Sequence, residues 1–131
     1  MSEGLRRILY AEDDPDIREI AIIALADLGG YELKVCESGV EALDSINDFE
    51  PDLFLLDVMM PGIDGPTTLK ELRQIDGMAN IPAIFMTAKV QPQEVNEYIE
   101  MGATGVISKP FDPMSLVDEI NALWAKAQTP Q

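Results

Sequence analysis

Five side chains in this sequence could do chemistry together. Glu12 and Asp13 follow the apolar run Ile8-Leu9-Tyr10-Ala11, and Asp57 follows Leu53-Phe54-Leu55-Leu56. Thr87 follows Ala83-Ile84-Phe85-Met86, and Lys109 follows Gly105-Val106-Ile107-Ser108. Each stands where an apolar run stops and a turn begins. Three carboxylates held together repel one another and need a cation to remain ionised. Mg2+ suits such a group, because it takes oxygen ligands, keeps several waters and bridges to phosphate. A lysine and a hydroxyl can then hold the oxygens of a transferred phosphoryl group, a reaction in which a protein mostly positions groups and neutralises charge. Asp57, on the most apolar of these runs, is the candidate phosphoryl acceptor. With no histidine in the chain, imidazole acid–base chemistry and histidine metal ligation are excluded.

The elements that must position these residues follow from pattern. Arg7–Ala11 reads as a first strand. Asp14 then suits a helix N-cap and Pro15 the first helical position, for a helix running to about Leu28 and stopped by Gly29-Gly30. Tyr31–Cys36 alternates more and reads as a strand nearer a sheet edge. Ser38 caps a second helix through about Phe49, with Val40, Leu43 and Ile46 inward. Leu53–Leu56 reads as a strand buried on both faces, and Pro61, Gly62 and Gly65 force a turn after it. A third helix runs from about Thr67 to Ile75, with Leu69 and Leu72 inward. A fourth strand spans Ala83–Met86, and a fourth helix follows Pro92 with Val95, Tyr98 and Ile99 on one face. A fifth strand spans Gly105–Ser108. A last helix starts near Asp112-Pro113 and carries Leu116, Val117, Ile120, Leu123 and Trp124. Residues 127–131 read as a short polar, frayed tail.

Strand and helix alternate five times, which argues an α/β fold with a parallel sheet and helices on both faces. All five candidate residues then lie at carboxyl ends of strands, along one edge of the sheet, where open parallel sheets bind ligands. The 131 residues suit one domain with a core over about residues 7–126. Twenty-four acids against nine bases give a net charge of −15. That surface repels nucleic acid and anionic membranes, so neither is expected as a direct partner. A single cysteine, Cys36, allows no internal disulfide and fits a cytoplasmic location. No apolar run reaches the length of a membrane span.

Taken jointly, the acidic pair after the first strand, Asp57 with a downstream Pro61-Gly62-x-x-Gly65, Thr87-Ala88 and Lys109-Pro110 resemble a response-regulator receiver domain of two-component signalling, similar to single-domain chemotaxis regulators. The likeness runs from Arg7 to about Lys126. It implies a doubly wound, flavodoxin-like sheet of five parallel strands in the order 2-1-3-4-5. It implies that Asp57 accepts a phosphoryl group from a phosphohistidine, on a sensor histidine kinase or a histidine phosphotransfer protein. Asp13 would bind Mg2+ directly, Glu12 through water, and Asp57 and the backbone carbonyl of Met59 would complete the protein ligands. Thr87 and Lys109 would contact the phosphoryl group, and Lys109-Pro110 would be cis. The domain would catalyse only its own phosphorylation and slow autodephosphorylation, as a monomer or weak dimer. It would signal through its fourth-helix, fifth-strand and fifth-helix face to an unnamed downstream protein, with no output domain in this chain.

Asp14 competes with Glu12 as a metal ligand, but its spacing to Pro15 favours the cap. Val106 stands where the family often has Tyr or Phe, which puts the aromatic half of the usual switch in doubt. Met59 and Lys89 fall where the family lines the path of the hydrolytic water. On the first helix, Ile17, Ile20, Ala21, Ala24 and Leu28 form the expected inward stripe. Ile22, Leu25 and Ala26 are then left turned partly outward as a candidate dock. A flavodoxin-like cofactor binder would need a glycine- and hydroxyl-rich phosphate loop where Glu12-Asp13-Asp14 stands. A phosphatase built on Asp14-x-Asp16 would need Asp14 free of its cap.

Overall fold

The computed structural model describes residues 4–128. Among them are five strands, β1 (Arg7–Ala11), β2 (Glu32–Cys36), β3 (Leu53–Asp57), β4 (Ala83–Thr87) and β5 (Gly105–Ser108). They pair in parallel in the order β2-β1-β3-β4-β5. Helices α1 (Pro15–Ile22), α2 (Gly39–Ser45), α3 (Gly65–Leu72) and α4 (Pro92–Glu100) lie in the crossovers, and α5 (Pro113–Gln128) follows β5. The expected order and the expected parallel α/β class are both present.

Alternate residues of the buried strands feed two cores. Leu9, Ala11, Phe54, Leu56, Ala83 and Phe85 face one side with Leu69 and Leu72 of α3. Ile8, Tyr10, Leu53, Leu55, Ile84, Met86 and Ile107 face the other, with Ala21 of α1 and Leu116 and Ile120 of α5. All residues of β3 and β4 are buried, which is why they read as unbroken apolar runs rather than alternating ones. Register matters for the site. Tyr10 pairs with Leu55 and Ala11 with Leu56, so the next residues out, Glu12 and Asp57, leave the sheet side by side.

Several sequence-based expectations shift here. The α2 helix ends at Ser45, where Asp48 and Phe49 both donate backbone N–H groups to the Ser45 carbonyl at 3.0 Å. Val40, expected inward, is exposed. The α3 helix begins at Gly65, capped by Asp64, and ends at Leu72. Ala127 and Gln128, expected to fray, continue α5; the rest of that expected tail lies outside the described residues.

The largest correction concerns the first helix. It continues beyond α1 as a π-helix over Ile23–Leu28, where Gly29 N–H donates to the carbonyl of Ala24, five residues back, at 3.0 Å. The wider turn rotates the following side chains off a 3.6-residue stripe. Leu25, expected outward, is fully buried, whereas Leu28 and Ile20, expected inward, are 59% and 45% exposed. The face that meets the sheet is therefore Ala21, Ala24 and Leu25. Its small residues share a core with the large, fully buried ring of Tyr10.

Candidate functional site

The carboxyl edge of the sheet gathers all five residues picked from sequence. Glu12 and Asp57 are buried, and Lys109 lies across them. Its Nζ donates to Glu12 Oε1 and to Asp57 Oδ1, each at 3.0 Å. Carboxylate oxygens of Glu12, Asp13 and Asp57 all lie within 4.8 Å of one another, with Asp13 on the solvent side. Asp14 does serve as the helix cap, since its Oδ1 accepts from the N–H groups of Asp16 at 2.9 Å and Ile17 at 3.3 Å. Glu12 points inward instead, and its Oε2 accepts from Asp14 N–H at 3.2 Å. Of the two residues that sequence left open, Glu12 rather than Asp14 has its carboxylate in the acid cluster.

The charges do not balance. One ammonium faces three carboxylates, which would leave two negative charges with all three ionised. Burial and the neighbouring Asp57 carboxylate push the Glu12 pKa up to about 7, against the lowering effect of its hydrogen bond from Lys109. For Lys109, burial alone would lower the pKa, but the hydrogen bonds and charges of Asp57 and Glu12 outweigh it and raise it. Such a pocket of hard oxygen donors with uncompensated charge fits a divalent cation of the Mg2+ type.

Local chain geometry fixes the position of Asp57. Val58 N–H donates to Met86 O at 3.0 Å, and Gly65 N–H donates back to Val58 O at 2.9 Å. A Cβ on Gly65 would sit 2.5 Å from the Asp57 carbonyl. Only glycine lets α3 start this close behind Asp57. Gly62, at φ +80°, makes the turn between them in the left-handed region that favours glycine. Thr87 is buried at the end of β4, and its Oγ1 accepts from Lys89 N–H at 3.0 Å. Lys109 N–H donates to Thr87 O at 2.9 Å, and the Lys109–Pro110 bond is cis, as the resemblance implied. Met59 is 69% exposed on the loop after Asp57, whereas its neighbour Met60 is buried. The Lys89 side chain is exposed, and Val106 is half-buried on β5.

Two residues of this region escaped the sequence reading. Arg18 reaches back from α1, and its Nη1 donates to the carbonyls of Glu12 at 3.0 Å and Asp13 at 3.2 Å. A cation in the first turn of a helix opposes the macrodipole, and that mismatch was the available signal. Tyr10 lies one layer beneath Glu12 and Asp57, and its buried hydroxyl has no hydrogen-bond partner. Burial, then Glu12 and Asp57, raise its pKa well above the ordinary phenol range, so it stays protonated. A tyrosine before an acid pair reads as one more strand residue, and nothing in the sequence distinguished it.

A separate feature lies beside Lys109. Ile17 and Ile20 of α1 with Pro110, Phe111 and Pro113 line an apolar cleft of about 410 Å3. Of the surface expected from Ile22, Leu25 and Ala26, Leu25 is buried, whereas Ile22 and Ala26 are half-buried and so turned partly outward.

A five-stranded parallel α/β sheet thus carries an acid cluster and a bridging lysine at its carboxyl edge, where open α/β sheets bind ligands. Residues 8–121 match the response regulator receiver domain, and the chain belongs to that family. It is 36% identical over 117 residues to the DNA-binding response regulator MtrA of Mycolicibacterium smegmatis, covering 89% of this chain and 50% of that protein. It is 36% identical over 118 residues to the phosphate regulon transcriptional regulatory protein PhoB of Pseudomonas aeruginosa, covering 90% and 51%. The chain thus spans about half the length of these relatives. Among solved structures it resembles the chemotaxis response regulator CheY4 of Vibrio cholerae, with a TM-score of 0.84 at 28% identity, covering 92% of this chain and 99% of that one. A response regulator from Chloroflexus aurantiacus aligns with a TM-score of 0.82 at 33% identity, over 93% and 99%.

Proposed function

We propose that this receiver domain accepts a phosphoryl group on Asp57 from a phosphohistidine donor, with Mg2+ bound by Glu12, Asp13, Asp57 and the carbonyl of Met59. The observation that carries the reading is Lys109 Nζ, 3.0 Å from both Glu12 and Asp57 within the acid cluster. A carboxylate oxygen of Asp57 attacks phosphorus, the P–N bond of the donor breaks, and the bond pair leaves on the imidazole nitrogen. When bound, Mg2+ supplies charge neutralisation for the carboxylates and the phosphoryl oxygens. Lys109, freed from Asp57 Oδ1 as that carboxylate becomes an acyl phosphate, is at hand for a phosphoryl oxygen. Thr87, at the end of the adjoining strand, offers its hydroxyl to another. Its present acceptor contact with Lys89 N–H links that change to the loop leading into α4. Signalling through α4, β5 and α5 to a downstream protein follows from this connection.

The histidine donor docks at the apolar cleft of Ile17, Ile20, Pro110, Phe111 and Pro113, which opens beside Lys109. Among the described residues no helix is long and apolar enough to cross a membrane. The acidic surface favours neither nucleic acid nor anionic lipid as a direct partner of this domain. The test is mass spectrometry after incubation with acetyl phosphate and magnesium. One added phosphoryl group is expected, mapped to Asp57 and absent in Asp57→Asn; full modification of that variant elsewhere would overturn the assignment.

A further inference from the structure

We infer that Arg18 is a positioning residue for the cation site, holding the two acid-bearing residues of the β1–α1 loop by their backbone. The inference rests on the proposal that the acid cluster binds Mg2+. Arg18 Nη1 donates to the Glu12 carbonyl at 3.0 Å and to the Asp13 carbonyl at 3.2 Å. Its Nη2 lies 3.8 Å from Glu37 Oε2, just beyond the end of β2. Glu12 N–H in turn donates to Cys36 O at 3.0 Å, the last residue of that strand. The loop is therefore tied to β2 twice, once through its own backbone and once through the guanidinium. The Arg18 side chain is only 17% exposed, and the two ends of its planar fork divide the contacts, Nη1 taking both carbonyls and Nη2 facing Glu37, a span that a single ammonium nitrogen cannot cover.

The arrangement sets two effects of opposite sign against each other. A guanidinium beside a cation site repels the cation, so by charge alone its removal tightens Mg2+ binding. A loop released from its clamp loses the placement of the Glu12 and Asp13 carboxylates, so by geometry its removal weakens binding. Two direct hydrogen bonds to the residues that carry the ligands make geometry the larger effect. Arg18→Gln then weakens Mg2+ binding about tenfold, at the low end of what loss of a partner behind the ligands costs. Arg18→Lys keeps the charge but not the fork, and falls between Gln and wild type.

The experiment is isothermal calorimetry of Mg2+ into the wild type, Arg18→Gln and Arg18→Lys, without a phosphodonor, with a thermal melt of each. Weaker binding in Arg18→Gln, from protein that still melts cooperatively, is the expected result. Equal or tighter binding overturns the positioning role and leaves only charge. If Arg18→Gln does not fold, Arg18→Lys decides, because wild-type affinity at Arg18→Lys would then count against the fork. A wild type that binds no Mg2+ would instead remove the cation reading itself, an outcome visible in the wild-type titration alone.

Discussion

Strand β4 and helix α4 are neighbours in sequence and opposites in packing. All five residues of β4 are buried, and none of the nine in α4 is. The α4 helix is held by half-buried Val95 and Tyr98, the Tyr98 ring meeting Phe85 of β4 edge-on at 5.4 Å. Its start is fixed by Glu94, whose carboxylate accepts from Gln91 N–H at 3.1 Å. The surroundings of Asp57 are thus part of the core, whereas the surface that follows Thr87 is attached at few points. Segments with few buried apolar contacts open at low free energy. On the proposed function, a phosphoryl group at Asp57 would need to supply only a modest bias to shift α4, and the site itself would not need to deform. The half-buried Val106 on β5, with one stiff torsion, suits a switch carried by the loop from Thr87 to α4 rather than by a swinging aromatic ring.

The sharpest way to break this contrast is to truncate both sides of it. Phe85→Ala removes a fully buried ring and Tyr98's partner, and is expected to cost about 3–5 kcal/mol in chemical denaturation. If it costs no more than an exposed substitution, β4 is not the rigid partner. Next in size is the loop beside the acceptor. Met59 is exposed there and its thioether is a weak acceptor that cannot act as a base. Met59→Asn offers an amide to orient a water, and dephosphorylation is expected to be roughly tenfold faster, about 1.4 kcal/mol off the barrier. Phosphate release after removal of the phosphodonor, at constant magnesium, measures it; an unchanged or slower rate removes Met59 from the water's path.

A pH experiment sharpens the electrostatic side. Glu12 titrates at about 7 in the folded chain, against an ordinary value of 4.5. The folded state therefore holds this proton more tightly than the unfolded state does. The resulting stabilisation is full below about 4.5 and is lost as pH rises through about 7. In magnesium-free buffer, wild type should lose stability relative to Glu12→Gln across that window. A constant difference between the two denaturation profiles would mean that folding does not shift the Glu12 pKa. The smallest effect belongs to α4. Ile99→Ala, on its exposed side, should stay within about 0.5 kcal/mol of wild type. A larger loss would show that α4 is anchored more firmly than its burial implies.

Much of this molecule was legible in the chain. Asp57, Thr87 and Lys109 each end an apolar run, and in a parallel sheet that fact alone sends them to one edge. Two-sided burial of β3 and β4 left no polar residue to blur their limits, so those strands read to within a residue. The short amphipathic helices read less well. In α2 the expected inward Val40 is exposed and the helix stops at Ser45, because one face of two turns carries too few residues to fix its phase. The first helix misled more. A run of Ile, Ala and Leu supports several stripes, and only packing against Tyr10 and the π-turn at Ile23–Leu28 selected Ala21, Ala24 and Leu25.

What the sequence determined by itself was which residues end strands, since strand ends are written locally in apolar runs, Gly and Pro. Only the tertiary structure decided how those ends act on one another. The register of β1 against β3 set Glu12 beside Asp57, and Lys109, 52 residues from Asp57 along the chain, closed over both. Arg18 found carbonyls that have no signature in the sequence, because every residue carries one. The Tyr10 hydroxyl came to rest beneath two acids without a partner. These are long-range contacts between elements, and their energies depend on distances across the sheet rather than on neighbours along the chain.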